Sequence, residues 1–318
     1  MKSLESVKSP GCELIRVVEG IWYALPQGHQ KGNPCTVISG YIHGNEQVGK
    51  AMLALKQQIE DGQFYPQEPL LLIHGNPQAT AQNSRYCEND LNRCFGLVAN
   101  PNTLEAKRAH QIKQVLIEYA PKIKQHIDLH NSILPAPQML ITPWKELPTE
   151  GEMLQQTLLF MNRLKIKTLV YGSGFYGQNG QYTDFDCYTH HQHGANSATL
   201  EWGQLGTNHT EKVIEGLKQT LLNSPKLLEA SANEIEVWDA YQAIFKQEDS
   251  FQYAHSGYGN FEPLTEGEII ATQANDIWTA NSGDHLLFPN PNVAVGQRAG
   301  IFMRRVGLQD IMQAAKVA

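Results

Sequence analysis

Thr36-Val37-Ile38-Ser39-Gly40-Tyr41-Ile42-His43-Gly44-Asn45-Glu46 is the stretch that decides the fold. Its first seven residues form a short apolar, β-branched run, which predicts a buried strand. A histidine and a glutamate follow, three positions apart, on one tight loop beyond the strand end. Gly44 between them lets the backbone turn without steric cost. Val48, Met52, Leu55 and Ile59 then fall on one face of a helix. A buried strand feeding an amphipathic helix is the repeating unit of an α/β sheet.

The alternation runs from about Cys35 to Ser224. Leu70 to Ile73 reads as a second strand. Asn102-Thr103-Leu104-Glu105 has capping-box spacing, Asn102 to Glu105, and opens a helix that ends near Tyr119, before Pro121. Gln125 to His130 reads as a third strand and Met139 to Thr142 as a fourth. Gly151 to Leu164 reads as helix, and Thr168 to Tyr171 and Ala198 to Glu201 as strands. Val213, Leu217 and Leu221 mark a last helix. The expected core is a central sheet flanked by helices on both faces, with ligands at the carboxyl ends of its strands. After about Ser231 short runs (Ile235 to Trp238, Gly267 to Thr272, His285 to Pro289) sit between Gly, Pro, Asn and Asp. This predicts a smaller β-rich domain over 231–318, following a catalytic domain over 1–230.

The composition agrees. A chain of 318 residues suits two domains, and 41% hydrophobic with 18% charged residues are globular values. The net charge of −7 argues against nucleic acid and against anionic membrane surfaces as partners. No apolar run is long enough for a membrane helix, and no secretory signal is visible. Five cysteines without CxxC spacing support neither a disulfide framework nor a thiolate metal site, so a cytoplasmic location is expected.

Polar residues just beyond the apolar runs carry the candidate chemistry. In Ile127-Asp128-Leu129-His130, strand alternation sends Asp128 and His130 to one face and Ile127 and Leu129 to the other. Singly, His43, Glu46 and His130 are ordinary loop and core residues. Together, at strand ends, two histidines and one glutamate match the open ligand set of a catalytic zinc. Asp128 is placed either to orient a ligand imidazole or to cap a neighbouring backbone group. Glu201, leaving another strand at the same edge, is a candidate general base. Arg85 and Arg93 flank a loop beyond the second strand, where guanidiniums could grip a carboxylate or polarise a carbonyl. A surface salt bridge is the commoner fate of either.

These motifs, in this order, resemble the succinylglutamate desuccinylase and aspartoacylase family of zinc-carboxypeptidase-like enzymes. The matching stretches are Gly40 to Glu46, Gly75-Asn76-Pro77, Arg85-Tyr86, Asp90 to Phe95, Asp128-Leu129-His130 and Thr199-Leu200-Glu201. His285 to Pro291 and Val295 to Gly300 look like the end of the desuccinylase branch. The resemblance implies zinc, one ion per chain, on His43, Glu46 and His130. It implies Glu201 as base and then acid, Arg85 on the amide carbonyl, and Asn92 and Arg93 on the α-carboxylate. It also implies hydrolysis of an N-acyl amino acid, N-succinyl-glutamate in arginine catabolism for this branch. An aspartoacylase-like or broader deacylase is the alternative, and a non-catalytic ligand-binding homologue a further one. The expected partner is this small molecule, and a homo-oligomer is compatible. One departure stands out. The desuccinylase branch typically carries an Ala-Ile-Arg-Gly type segment after the ligand histidine. Here Asn131-Ser132-Ile133-Leu134-Pro135 follows, without arginine. Arg163, Lys165 and Lys167 are the other cations that sequence offers.

Other features have blander readings. His190-His191-Gln192-His193 reads as a solvated loop near the pocket mouth rather than a second metal site. Tyr171 to Gly177, glycine-rich, reads as a mobile lid. Trp202 and Trp238 read as packing residues. Gly257-Tyr258-Gly259 and Asn260 are placed to reach the pocket from the second domain.

Overall fold

The computed structural model describes residues 5–9, 11–97, 100–148, 151–205, 210–222 and 235–307. Strands β1 (Ser6–Ser9), β2 (Cys12–Val18), β3 (Ile21–Pro26) and β4 (Cys35–Gly40) come first. Next are α1 (Lys50–Glu60), β5 (Leu70–His74), α2 (Pro77–Ala81), α3 (Leu104–Tyr119), β6 (Ile123–Ser132) and β7 (Gln138–Ile141). Then follow α4 (Glu152–Leu164), β8 (Thr168–Tyr171), α5 (Phe185–His193), β9 (Asn196–Gln204) and α6 (Thr210–Leu221). The C-terminal part holds β10 (Glu236–Phe245), β11 (Gln252–Tyr253), β12 (Glu262–Pro263), β13 (Ile269–Gln273), β14 (Asp276–Thr279), β15 (Asp284–Leu287) and β16 (Arg298–Val306).

The centre of the sheet runs β5-β4-β6-β9, all parallel, with β7 antiparallel to β9. Alternation along these strands sorts the core into two layers. Ile38, Leu72, Ile127, Leu129 and Leu200 pack on the side of α1, α4 and α6. Val37, Leu71 and Ile73 pack on the side of α3 and α5. Burying each such side chain contributes on the order of 2 kcal/mol. The mixed sheet, helix-flanked on both faces, and the β-rich C-terminal part are as the sequence predicts.

Several local expectations need correction. The N-terminal strands β1 to β3 extend the sheet beyond β5 and were not anticipated. The 230/231 boundary lies outside the described residues. On either side of it the sheet does not stop: β10 pairs in parallel with β8, Glu236 opposite Thr168. One thirteen-stranded sheet therefore runs through both regions. The cap of α3 is Thr103, whose hydroxyl accepts from Ala106 N at 3.2 Å, rather than Asn102. Glu105 does not reach back to the cap. It accepts the backbone N–H groups of Cys87, Glu88 and Asn89 and so shapes the loop carrying Arg85 and Asp90.

The His190–His193 segment is the last turn of α5, not a loop. His190 bonds the Ala195 carbonyl and His191 the Tyr176 hydroxyl. The glycine-rich segment after Tyr171 is no lid. Ser173–Phe175 is a 3₁₀ turn wedged beneath β10, where a Cβ on Gly174 would lie 2.6 Å from the Ala240 carbonyl. Trp202 and Trp238 are buried, as expected of packing residues.

Candidate metal and active site

His43 and Glu46 follow β4, and His130 stands near the end of β6 beside it. The loop bearing the first two is pressed onto α2. A Cβ on Gly44 would lie 2.3 Å from the Ala79 carbonyl carbon and the Thr80 nitrogen, so close approach, rather than a special turn, requires glycine there. Tyr41, at φ 55°, makes the left-handed turn out of the strand. Such a conformation costs a side-chain-bearing residue about 1 kcal/mol or more.

The ligand atoms of His43, Glu46 and His130 all lie within 4.8 Å of one another, in buried surroundings. This is the one such group of three among the described residues. His43 Nδ1 is 2.7 Å from Glu46 Oε1, and His130 Nδ1 is 2.8 Å from Glu46 Oε2. The latter oxygen is fully buried without a well-aligned donor. Both Nε2 atoms are taken by carboxylates: Asp90 Oδ1 at 2.9 Å from His43 and Asp128 Oδ2 at 3.0 Å from His130. An Nε2–H donated to a carboxylate leaves the Nδ1 lone pair facing inward, as in carboxylate–histidine–metal arrangements. The donors therefore fit a divalent cation, and two nitrogens with one oxygen suit zinc.

Behind Asp128 a chain of buried hydrogen bonds enters the interior. Ser39 Oγ donates to Asp128 Oδ1 at 2.6 Å and is 2.7 Å from His126 Nε2. His126 Nδ1 in turn meets Thr189 Oγ1 on α5 at 2.7 Å. Burial, helped by His130 and His193 and opposed by Asp128, brings the His126 pKa down to about 4, so this ring is neutral.

Glu201 lies on β9, directly opposite His130 in register. Its Oε2 accepts from Ser132 Oγ at 3.1 Å. Burial, helped by the nearby Glu46 charge, pushes its pKa up to about 7. Glu46 itself is driven the other way. Burial opposes its charge, but the His43 and His130 imidazoles outweigh burial and hold it well below the ordinary range. Two glutamates in one cavity are thus separated by environment, one as a permanent anion and one poised near neutrality.

Arg85 donates to Glu46 Oε1 at 3.1 Å and reaches Asp90 Oδ2 at 3.5 Å. Asn92 is buried, and its Oδ1 accepts from Phe185 N, fixing the start of α5. Arg93 is 2.5 Å from Asp184 Oδ1. All of these line one cavity of about 810 Å³, together with Tyr258 and Asn260 from the C-terminal part. Asn260 donates to the Leu134 and Pro135 carbonyls and accepts from Phe288 N, so it holds the cavity wall. Arg163, Lys165, Lys167 and the His190–His193 turn are not among the residues lining it.

Three lining residues escaped the sequence reading. Asp90 orients His43, Asp184 sits against Arg93, and Arg298 on β16 brings a cation in from the C-terminal part. Arg298 donates to the Phe175 carbonyl at 2.7 Å and stands 3.6 Å from Asp184 Oδ2. Asp90 and Arg298 lie inside motifs quoted above, but only proximity reveals what they touch.

Comparison with known proteins follows this geometry. Residues 33–227 match the succinylglutamate desuccinylase/aspartoacylase catalytic domain, and residues 233–306 match the AstE/AspA barrel-sandwich hybrid domain. The succinylglutamate desuccinylase of Photorhabdus laumondii is 30% identical over 307 residues, covering 90% of each chain. That of Pseudomonas syringae pv. tomato is 29% identical over 292 residues, covering 87% of this chain and 84% of its own. A solved succinylglutamate desuccinylase from Vibrio cholerae superposes with a TM-score of 0.80 at 24% identity, covering 96% of this chain and 91% of its own. Murine aminoacylase 3 superposes with a TM-score of 0.57 at 18% identity, covering 87% and 97%. The chain belongs to the succinylglutamate desuccinylase/aspartoacylase family, on its desuccinylase side.

Proposed function

We propose that this chain is a zinc-dependent amidohydrolase that cleaves the amide bond of an N-acyl amino acid. The observation that carries the reading is the convergence of His43, Glu46 and His130 in one cavity with Glu201 and Arg85. A zinc ion held by the three ligands would supply Lewis acidity and a water acidic enough to ionise near neutral pH. Glu201, buried opposite His130, takes a proton from the attacking water and delivers it to the departing amine nitrogen. Arg85 donates to the carbonyl oxygen as negative charge develops there. Arg93 pairs with the α-carboxylate, and Asn92 assists from the same turn. Asp90 and Asp128 keep the two imidazoles oriented.

The desuccinylase names of the relatives make N-succinyl-glutamate the reference substrate, and with it a place in arginine catabolism in the cytoplasm. The segment Asn131 to Pro135, which lines the cavity through Asn131 to Leu134 and carries no arginine, favours the second reading, a deacylase of different acyl preference. Asn131 Oδ1 accepts from Val48 N and its Nδ2 donates to the Trp202 carbonyl, so Asn131 is a structural residue. The test is metal analysis, then free-amine release from N-succinyl, N-acetyl and N-formyl amino acids. About one zinc per chain and turnover of one or more substrates, abolished by chelation, are expected. A metal-loaded chain that binds acyl amino acids without releasing amine would overturn the hydrolase reading.

A further inference from the structure

Behind the metal ligands, the side of the sheet turned towards α5 is polar where packing alone would make it apolar. Ser39 on β4, His126 and Asp128 on β6, Ser197 on β9 and Thr189 on α5 are all 0% exposed. The opposite face of β6 sends Ile127 and Leu129 into the apolar core. Buried polar groups are costly unless each is paired, and these pair with one another. Ser39 stands opposite Asp128 in register, and Ser197 opposite His126.

One proton decides the order of this network. Asp128, as a carboxylate, only accepts. It takes the His130 Nε2–H on Oδ2 at 3.0 Å and the Ser39 hydroxyl on Oδ1 at 2.6 Å. Ser39 has a single proton, so it cannot also donate to His126 Nε2, 2.7 Å away. That ring nitrogen must therefore donate to Ser39, which leaves His126 Nδ1 as an acceptor. Thr189 Oγ1, 2.7 Å from Nδ1, is its donor. The Phe185 and Asp186 carbonyls are longer alternatives for the same proton, at 3.3 and 3.0 Å. Ser197 Oγ, 2.9 Å away, can donate to Thr189 in turn. The protons of this network then all point towards Asp128, and hydrogen bonds aligned in this way polarise one another.

We infer that His126, Ser39 and Thr189 are positioning residues for the metal site, an ordered hydrogen-bond relay from helix α5 that fixes the Asp128 carboxylate against His130. This rests on the reading of His43, Glu46 and His130 as zinc ligands and deepens it. Ser39 holds one Asp128 oxygen, so the other stays on His130 Nε2 and the Nδ1 lone pair faces the metal. His126 keeps the Ser39 hydroxyl from turning elsewhere.

A double-mutant cycle read by zinc competition titration of the full chain tests it. His126→Leu should weaken zinc about tenfold, the lower edge of what hydrogen-bond partners behind metal ligands give. His126→Gln, whose amide N–H can donate from near the Nε2 position, should restore most of that loss. With Asp128→Asn already present, His126→Leu should change the zinc Kd by less than about twofold, because the relay acts through Asp128. Equal weakening in both backgrounds, or a loss of stability in the chelated chain with zinc Kd unchanged, would mark a merely structural residue and overturn the inference. If His126→Leu does not fold, Thr189→Val against Thr189→Ser asks the same question with less change of shape. Weaker zinc with valine and parental zinc with serine is expected, and equal behaviour of the two overturns the relay. The proton order has its own readout, independent of metal. Long-range proton–nitrogen NMR spectra of the chelated chain should show His126 as the neutral Nε2–H tautomer, a signal lost in His126→Gln, and an Nδ1–H tautomer overturns the relay. A parent chain that binds no zinc would instead sink the metal reading, with the tautomer still reporting on the relay.

Discussion

Glu201→Gln should inactivate the protein and stabilise it at the same time. The Glu201 carboxyl is buried on β9, and its pKa rises from 4.5 to about 7 on folding. A carboxyl so raised favours the folded state only while protonated. Its contribution is therefore intact below the unfolded value and is lost as pH rises towards 7. Each pKa unit corresponds to about 1.4 kcal/mol, so ionisation costs the folded chain about 3 kcal/mol at pH 8. At pH 5 the cost is under about 1 kcal/mol. Glutamine never ionises and can still accept from Ser132 Oγ. The chelated variant should therefore exceed the chelated parent by about 3 kcal/mol at pH 8, and by under about 1 kcal/mol at pH 5. Chelation matters because a bound divalent cation would favour the ionised carboxylate. Guanidinium denaturation at the two pH values, with unchanged slopes, reads the difference directly. The metal-loaded variant should keep its zinc but lose roughly 10²- to 10⁴-fold in kcat. A pH-independent difference, or a variant less stable at pH 8, would refute the burial argument. Full activity would refute the base assignment.

Three further outcomes follow from the same geometry. Asp128→Asn should weaken zinc binding about 10- to 100-fold in a competition titration, because His130 loses its orienting carboxylate. Ser132→Ala removes a hydrogen bond that favours ionised Glu201. The acidic limb of kcat/KM that Glu201 sets should then move to higher pH. Gly44→Ala puts a methyl group into the backbone of α2 and should cost about 3 kcal/mol by chemical denaturation, beyond the reach of a side-chain adjustment.

How much of this was legible in the sequence depends on the range over which each residue acts. His43, Glu46, His130 and Glu201 could be read because each follows or ends an apolar run, and parallel strands bring such ends to one edge. Strand alternation alone separated Asp128 and His130 from Ile127 and Leu129. Asp184 was not legible, because its meaning comes from Arg93 and Arg298, 91 and 114 positions away and tied to it only in space. Helix α5 was misread because its His190–His193 turn is polar. What holds the helix is Asn92 at one end and Thr189 meeting His126, neither of which is a periodic signal. Strands β1 to β3 carry no chemical motif, although β3 covers the edge of β5 and β2 and β1 extend the sheet beyond it. The mistaken lid shows the ambiguity of glycine. The same residues that permit motion in a loop also permit close packing, and in Ser173–Phe175 they serve the packing.

The continuous sheet has a consequence for how this chain can be taken apart. β8 meets solvent nowhere along its hydrogen-bonding edges, because β7 covers one and β10 the other. Cutting the chain near residue 230 would not release a self-sufficient catalytic piece. It would expose the β8 edge, a row of unpaired amides and carbonyls inviting pairing with a second copy. It would also remove Arg298 and Asn260 from the cavity wall. During synthesis the β8 edge therefore stays open until β10 has emerged from the ribosome and paired with it. Until then the exposed edge of a second copy competes for the same hydrogen bonds.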